Sequence, residues 1–276
     1  MKSLRLLIVL AFAAFLTAFT PAVHAFDING FMPERGQGDF ALSYTAEGYD
    51  EFWVGETKVS DPGVGEVEID SLSAWFQWGL TGDLAVVGNV AHVDASSDGL
   101  GGFADSGLQD VAVLLKYRFV SAGPHSLVGA GGFRTPASDY EANLPVDLGD
   151  GTTDALLRLV YLYQGPGGFY FSQQVGYDLR GDDAPDGFPL YTEIGLTAGR
   201  VTYAASLTYY TADGGTDIGD PGFTFPSNQE EYTRLGLKVY GRLTDSFGLS
   251  AAYFDTTDGR NTGDSDGLSV GGVFRF

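Results

Sequence analysis

Few side chains in this chain could do chemistry. The 276 residues hold no Cys and 3 His. Without Cys there is no disulfide, thiolate zinc site, cysteine nucleophile or lipid-modified N-terminal Cys. His92, Asp94 and Ser96 share one strand phase, as a hydrolase wall might require. In a strand, however, positions i and i+4 stand about 13 Å apart, too far for His92 to activate Ser96. His24 and His125 stand alone, so no metal site is expected. Neither a catalytic residue nor a cofactor is expected, and the chain reads as a non-enzyme. The remaining chemistry is electrostatic. Lys116, Arg118, Arg134, Arg158, Arg180, Arg234, Lys238, Arg242 and Arg275 all fall on one phase of alternating segments. Cations arrayed on one face can guide an anionic solute. They can equally pair with the acids of that face, which are Glu47, Asp110, Asp178 and Glu193, with Asp39 and Asp83 below. Both readings stay open at this point.

The elements that must hold these bases are strands. Apolar residues recur at period two between Gly, Asp, Pro and Ser. Val111, Val113, Leu115, Tyr117 and Phe119 share one face, and Asp110, Lys116 and Arg118 the other. Twelve such runs are expected near 39–48, 67–79, 83–95, 108–120, 125–136, 152–164, 168–180, 188–198, 200–212, 230–243, 247–257 and 267–276. The first is the least defined, because 49–59 could extend it or form its own hairpin. Short connections alternate with long ones (48–66, 96–107, 137–151, 181–187, 213–229 and 258–266). The long ones carry about twenty of the 36 acids and only Lys58 and Arg260 as bases. This pattern predicts an all-β, antiparallel transmembrane barrel of about 12 strands, with short periplasmic turns and long acidic external loops. The apolar phase then faces lipid, because bases facing outward at midplane would each cost about 2 to 4 kcal/mol. The nine bases point inward as a ladder, and His92, Asp94 and Ser96 point out near the external rim. Phe76, Trp78, Phe119 and Phe169 are expected in the lower aromatic girdle, and Tyr44, Tyr177, Tyr191, Tyr209 and Tyr253 in the upper one.

The two ends of the chain agree with export. Lys2 and Arg5 precede an apolar run from Leu6 to Phe19, and Ala-Val-His-Ala ends at Ala25. That run is too short for a membrane helix, which needs about 20 residues, and reads as a signal peptide over 1–25. A periplasmic N-terminal segment is expected over 26–38 and the barrel over 39–276. The last strand, apolar at every second place and ending in Phe274 and Phe276, resembles the assembly signal of bacterial outer-membrane barrels. The expected location is therefore the bacterial outer membrane. The expected partners are outer-membrane lipid and lipopolysaccharide, the barrel assembly machinery and a small-molecule solute, with the chain a monomer. A net charge of -21 argues against nucleic acid. The acidic loops lack EF-hand spacing and read as a solvated face.

Twelve strands fall between a filled eight-stranded interior and an open sixteen-stranded pore. A narrow pore, or one blocked by a loop or by residues 26–38, is expected. Trp78-Gly79-Leu80-Thr81-Gly82-Asp83-Leu84 resembles the Y-G-L-T-D-x-L hairpin of one barrel family. Gly107-Leu108-Gln109-Asp110-Val111, running to Lys116-Tyr117-Arg118-Phe119, is similar to its G-x-G-D strand. Phe133 to Pro136 is similar to its strand exit. The family is the outer-membrane transporters labelled "MetA-pathway of phenol degradation". Here Trp78 replaces Tyr, Gly82 is inserted and Gln109 replaces Gly. The resemblance implies a barrel that passes small aromatic or other hydrophobic compounds. The leading expectation is thus a passive channel for small organic solutes, narrowest at Arg158, Lys238 and Glu193. One alternative is an anion-selective porin for acidic oligosaccharides or other anions. The other is a closed structural or adhesive barrel.

Overall fold

The structure, a computed structural model, describes residues 28–276 apart from 61, 62, 64, 100, 101, 145, 147, 150, 182 and 183. The expected signal peptide over 1–25 lies outside the described residues, as do residues 26 and 27.

Twelve strands close into one antiparallel barrel. They are β1 (Gly38–Tyr49), β4 (Val67–Gly79), β5 (Leu84–Ser97), β6 (Ala104–Ala122), β7 (His125–Pro136), β8 (Asp154–Gln164), β9 (Phe169–Leu179), β10 (Gly187–Ala198), β11 (Val201–Ala212), β12 (Glu231–Arg242), β13 (Phe247–Arg260) and β14 (Asp266–Arg275). Two short strands, β2 (Glu51–Val54) and β3 (Thr57–Ser60), pair only with each other. Residues 49–59 therefore form their own hairpin and do not extend β1. The first and last barrel strands join in register, with Asp39 opposite Arg275 and Phe40 opposite Phe274. Closure leaves no exposed strand edge in the hydrocarbon.

Alternation places each side chain. In β8, Asp154, Leu156, Arg158, Val160 and Leu162 are buried, while Ala155, Leu157, Leu159 and Tyr161 are exposed. The exposed set faces lipid. Phe76, Trp78, Phe119 and Phe169 are exposed on the lower outer wall, and Tyr44, Tyr209 and Tyr253 on the upper. Tyr191 departs from this expectation. It shares the inward phase of Glu193 and is buried. Three register shifts also escape a strict period of two, one of them in the β6–β7 ladder between Arg118 and Val120. The β5–β6 ladder jumps between Val90 and His92, so β6 reaches back to Ala104. The β12–β13 ladder shifts at Thr233/Arg234, and β13 runs on to Arg260. Each shift adds a residue to one strand and flips its later side chains.

The segment ahead of β1 lies inside the barrel, not below it. Ile28 is 1% exposed and clusters with Val87, Leu114, Val128, Leu156 and Val160 of the inner wall, with Met32 and Trp75 packed alongside. Burying an Ile side chain contributes roughly 2 kcal/mol. The wall makes room with glycine. A Cβ on Gly30 would sit 2.6 Å from Leu162 Cβ, and one on Gly79 would sit 2.1 Å from the Glu34 carbonyl oxygen. The Gly36 amide donates to the Gly79 carbonyl at 2.8 Å and the Gly79 amide to the Gln37 carbonyl at 2.9 Å.

The external end is roofed. Val146 and Leu148 of the β7–β8 loop pack inward on Val67, Ala91, Val93 and Ala95. The β2–β3 hairpin docks on the β13–β14 loop, where the Trp53 amide donates to the Thr262 carbonyl and the Asp264 amide to the Glu51 carbonyl, both at 2.9 Å. Asn261 pins three loops together from a left-handed backbone with φ 50 and 1% exposure. Its side-chain oxygen accepts from the amides of Gly55 (2.7 Å) and Ile218 (3.1 Å). Its amide nitrogen donates to Asp217 (2.7 Å) and to the Gln229 carbonyl (3.0 Å).

Candidate solute pathway

The ladder of inward bases is present, but nearly every rung is tied to an acid. At the external end, Arg134 Nε donates to Asp154 Oδ2 at 3.0 Å and lies 3.7 Å from Asp110. Arg180 approaches the same Asp154 at 3.8 Å. Arg234 donates to Glu47 at 3.0 Å, and to Thr256 and Ser265 at 2.9 Å each. Its guanidinium lies between two rings, 4.9 Å from the centre of Tyr232 and 4.7 Å from that of Phe254. Such a planar cation suits both the carboxylate and the ring faces.

Two further pairs occupy the middle. Arg158 donates to Asp178, and its side chain is 1% exposed. Lys238 donates to Glu193 at 2.8 Å and to the Tyr191 hydroxyl. The Tyr170 hydroxyl donates to the other Glu193 oxygen at 2.7 Å. The Lys238 side chain keeps 45% exposure, so it faces open space while Arg158 does not. Of the three residues expected at the narrowest point, Lys238 and Glu193 are in contact, and Arg158 belongs to a separate buried pair.

At the periplasmic end the bases play different parts. Arg118 is bound to Asp83, with Nε at 2.9 Å, and to the Gly82 carbonyl at 2.8 Å, at the rim. Arg275 Nε donates to Asp39 at 2.9 Å across the closing seam. Arg242 lines the mouth beside Phe31 and Tyr240, and among the described residues it makes no ion pair. Lys116 is fully buried, and among the described residues no carboxylate pairs with it. Its ammonium donates to the Phe31 carbonyl (2.6 Å), Gln77 Oε1 (3.2 Å) and Asn29 Oδ1 (3.3 Å). Three neutral oxygens satisfy its three donors. Lys116 therefore faces the N-terminal segment and holds it, with no free surface toward a solute. On the other flank the Ile28 amide donates to Gln174 Oε1 at 2.9 Å.

The segment fills the side of the lumen walled by β4 to β9. The other side is lined by small groups, Ala204, Ser206, Gly236, Ser250, Ala252 and Ser269. A cavity of about 230 Å³ lies there beside Tyr170 and Lys238. One of about 430 Å³ follows at the mouth beside Phe31 and Arg242. A third, of about 190 Å³, sits under the roof against Arg234, Tyr210 and Tyr232. The first two mark an off-centre track past the segment, and the third spans the lumen beneath the roof.

Sequence reasoning named Glu47, Asp110, Asp178 and Glu193 as inward acids and Asp39 and Asp83 as acids of the lower rim, and each meets a base here. It did not name Asp154, the shared partner of Arg134 and Arg180, although Asp154 is in phase with Leu156 and Arg158. Nor did it name Ile28 or Asn29, whose stretch shows no alternation. His92 and Asp94 face outward, 3.7 Å apart, and among the described residues no hydrogen bond joins His92 to Ser96. Phe274 is exposed on the outer wall and packs on Phe247 with ring centres 4.8 Å apart, and Phe276 ends the seam beside Gly38. No set of His, Asp and Glu able to hold a metal occurs among the described residues.

Residues 35–271 match the family model described as "Putative MetA-pathway of phenol degradation". The chain belongs to this family. No curated protein matches it in sequence. Among solved structures it is similar to an outer membrane channel from Pseudomonas putida F1, with a TM-score of 0.72 and 15% identity over 92% of this chain and 100% of that one. It is similar to the translocator domain of the autotransporter NalP from Neisseria meningitidis, with a TM-score of 0.55 and 11% identity over 88% and 90% of the two chains. It is also similar to the KdgM porin, with a TM-score of 0.51 and 9% identity over 87% and 99%. At such identities the likeness is one of fold. This member of the phenol-degradation family is thus a closed twelve-stranded barrel of the bacterial outer membrane.

Proposed function

We propose that the barrel is a passive channel for small organic solutes, with no enzymatic activity. Uncharged aromatic or other hydrophobic compounds are the favoured class, as the family description suggests. The observation that carries this reading is the self-neutralised lumen. Arg134, Arg158, Arg180, Arg234, Lys238 and Arg275 each have a carboxylate within 4 Å. A base so paired offers an anion little net potential, whereas an anion track needs unpaired cations. The small track beside the N-terminal segment suits a compact solute better than an acidic oligosaccharide. The cavity under the roof, at about 190 Å³, has room for a compact solute, and its lining of Glu47, Asp110, Arg134, Arg234, Tyr210 and Tyr232 suits one that carries a polar group, as a phenol does.

Single-channel recording on the refolded protein, together with liposome swelling, tests this. Small conductance with weak ion selectivity, and faster swelling in phenol than in a disaccharide, is the expected result. Strong anion selectivity would favour the porin reading. No flux of any solute would favour a closed structural barrel.

A further inference from the structure

The outer wall is not equally tall all round. On β9 the lipid-facing row is uncharged from Phe169 to Leu179, ten residue steps. On β8, β10 and β11 it covers eight steps, Tyr163 to Ala155, Leu196 to Phe188 and Val201 to Tyr209. Five contiguous strands are shorter. The rows of outward side chains are Phe247 to Tyr253 on β13, Phe274 to Leu268 on β14, Phe40 to Ala46 on β1 (where the next outward residue is Gly48, which has no side chain), Trp78 to Leu72 on β4 and Leu84 to Val90 on β5. Each covers six steps. With about 3.4 Å per residue and a strand tilt near 40°, six steps rise roughly 16 Å and ten rise roughly 26 Å. An outer-membrane barrel usually presents a band about 25 Å tall.

Charge marks where the short band ends. The next outward side chains are Asp255 on β13, Asp266 on β14, Asp70 on β4 and His92, then Asp94, on β5. Asp255 stands directly opposite Asp266, and Asp70 directly opposite Asp94. Like charges paired across strands repel and need water. Below, the girdle residues Phe40, Trp78, Phe247 and Phe274 start within two residues of their strand ends, as Phe169 does opposite. The deficit of about 10 Å therefore lies at the external edge.

We infer that the bilayer is pinched along the arc β13–β14–β1–β4–β5, with the outer leaflet drawn down to Asp70 and Asp266 and a full-thickness membrane on the β8–β11 side. The partner of this surface is lipid, and the arc is centred on the seam where the first and last strands meet. Mismatch of this kind is met by thinning or by tilt.

The chain has no Cys, so single nitroxide labels can be placed without background. Leu72 and Trp78 mark the two edges of the short band, and Leu179 and Phe169 those of the tall one. All four are exposed wall positions. The probe is the full barrel in phosphatidylcholine vesicles, with depth read from collisions with oxygen and a water-soluble nickel chelate. Thinning predicts that all four labels sit at the hydrocarbon boundary. A flat membrane round an upright barrel would leave Leu72 about 10 Å deep, and a tilted barrel would leave Trp78 that deep instead. Either result overturns the inference. In the folded variant Asp70→Leu/Asp94→Leu, a label at Ser96 should move to the boundary. If it stays in water, the charges do not set the edge.

Discussion

Arg234 on β12 and Glu47 on β1 meet at 3.0 Å although β13 and β14 stand between their strands. The pair reaches across the inner curve of the barrel, and both side chains are largely buried. Removing one member leaves the other charge stranded in a poorly hydrated site. Glu47→Gln should destabilise the folded barrel by about 3 kcal/mol, the usual scale for breaking a buried pair. Urea unfolding in detergent or vesicles would measure it. The same variant should shift the reversal potential toward anions, because Arg234 loses its counter-charge.

Lys238 offers the reverse experiment. Its side chain faces the open track while bound to Glu193. Lys238→Gln removes a positive charge and leaves Glu193, so selectivity should move toward cations with the fold retained. Arg158→Gln should cost stability instead, because it abandons Asp178 in a closed site. Equal behaviour of the two variants, in potential and in unfolding, would contradict the assignment of only Lys238 to the track.

Lys116 is expected to act as a bolt. Lys116→Met keeps the side-chain volume and deletes three hydrogen bonds to Asn29, Phe31 and Gln77. Single-channel conductance should rise severalfold as the segment loosens, and proteolysis near residue 30 should quicken. An unchanged conductance trace would mean that Ile28 and its apolar neighbours suffice to hold it.

The roof should respond to acid. Hydrogen bonds from Arg260 and then from Asn261 hold the Asp217 carboxyl below its ordinary value. A depressed carboxyl stabilises the folded roof at pH above its unfolded value, near 4, and that contribution is lost as pH falls through the folded value. Glu51 is likewise lowered, by Lys58 and then Ser60, so the β2–β3 hairpin should weaken in the same window. Hydrogen exchange in residues 51–60 and 213–229 should therefore be faster at pH 3 than at pH 6, with the barrel strands unchanged. Asp217→Asn should give part of this effect at neutral pH.

The wall was legible because its physics is local. A strand with lipid on one face must alternate, and an inward base in phase with an inward acid already suggests a pair. Asp39 with Arg275 and Glu193 with Lys238 follow from that rule. What failed was long-range. Blockage by residues 26–38 was one expectation, but nothing in Ile28, Asn29 or Phe31 signals which wall they seat against, since a short coil carries no period. Their burial depends on holes left by Gly30 and Gly79 and on a lysine 87 residues from Asn29. The shift at Val90/His92 was equally silent, because one extra residue in β6 leaves each flanking run regular. Tyr191 was assigned to the girdle from its type, although its phase with Glu193 already pointed inward.

The placement of the N-terminal segment also orders events in time. Its hydrogen bonds to Lys116 and Gln174 close loops of 85 to 146 residues, whereas the Asp39–Arg275 contact across the seam spans 236. Shorter loops lose less chain entropy on closing. The segment should therefore seat on the curling β4–β9 sheet before the seam meets, as ballast around which the last strands wrap. A chain ending before β14 should still shield Ile28 from exchange, and full exposure of Ile28 in that chain would reverse the order.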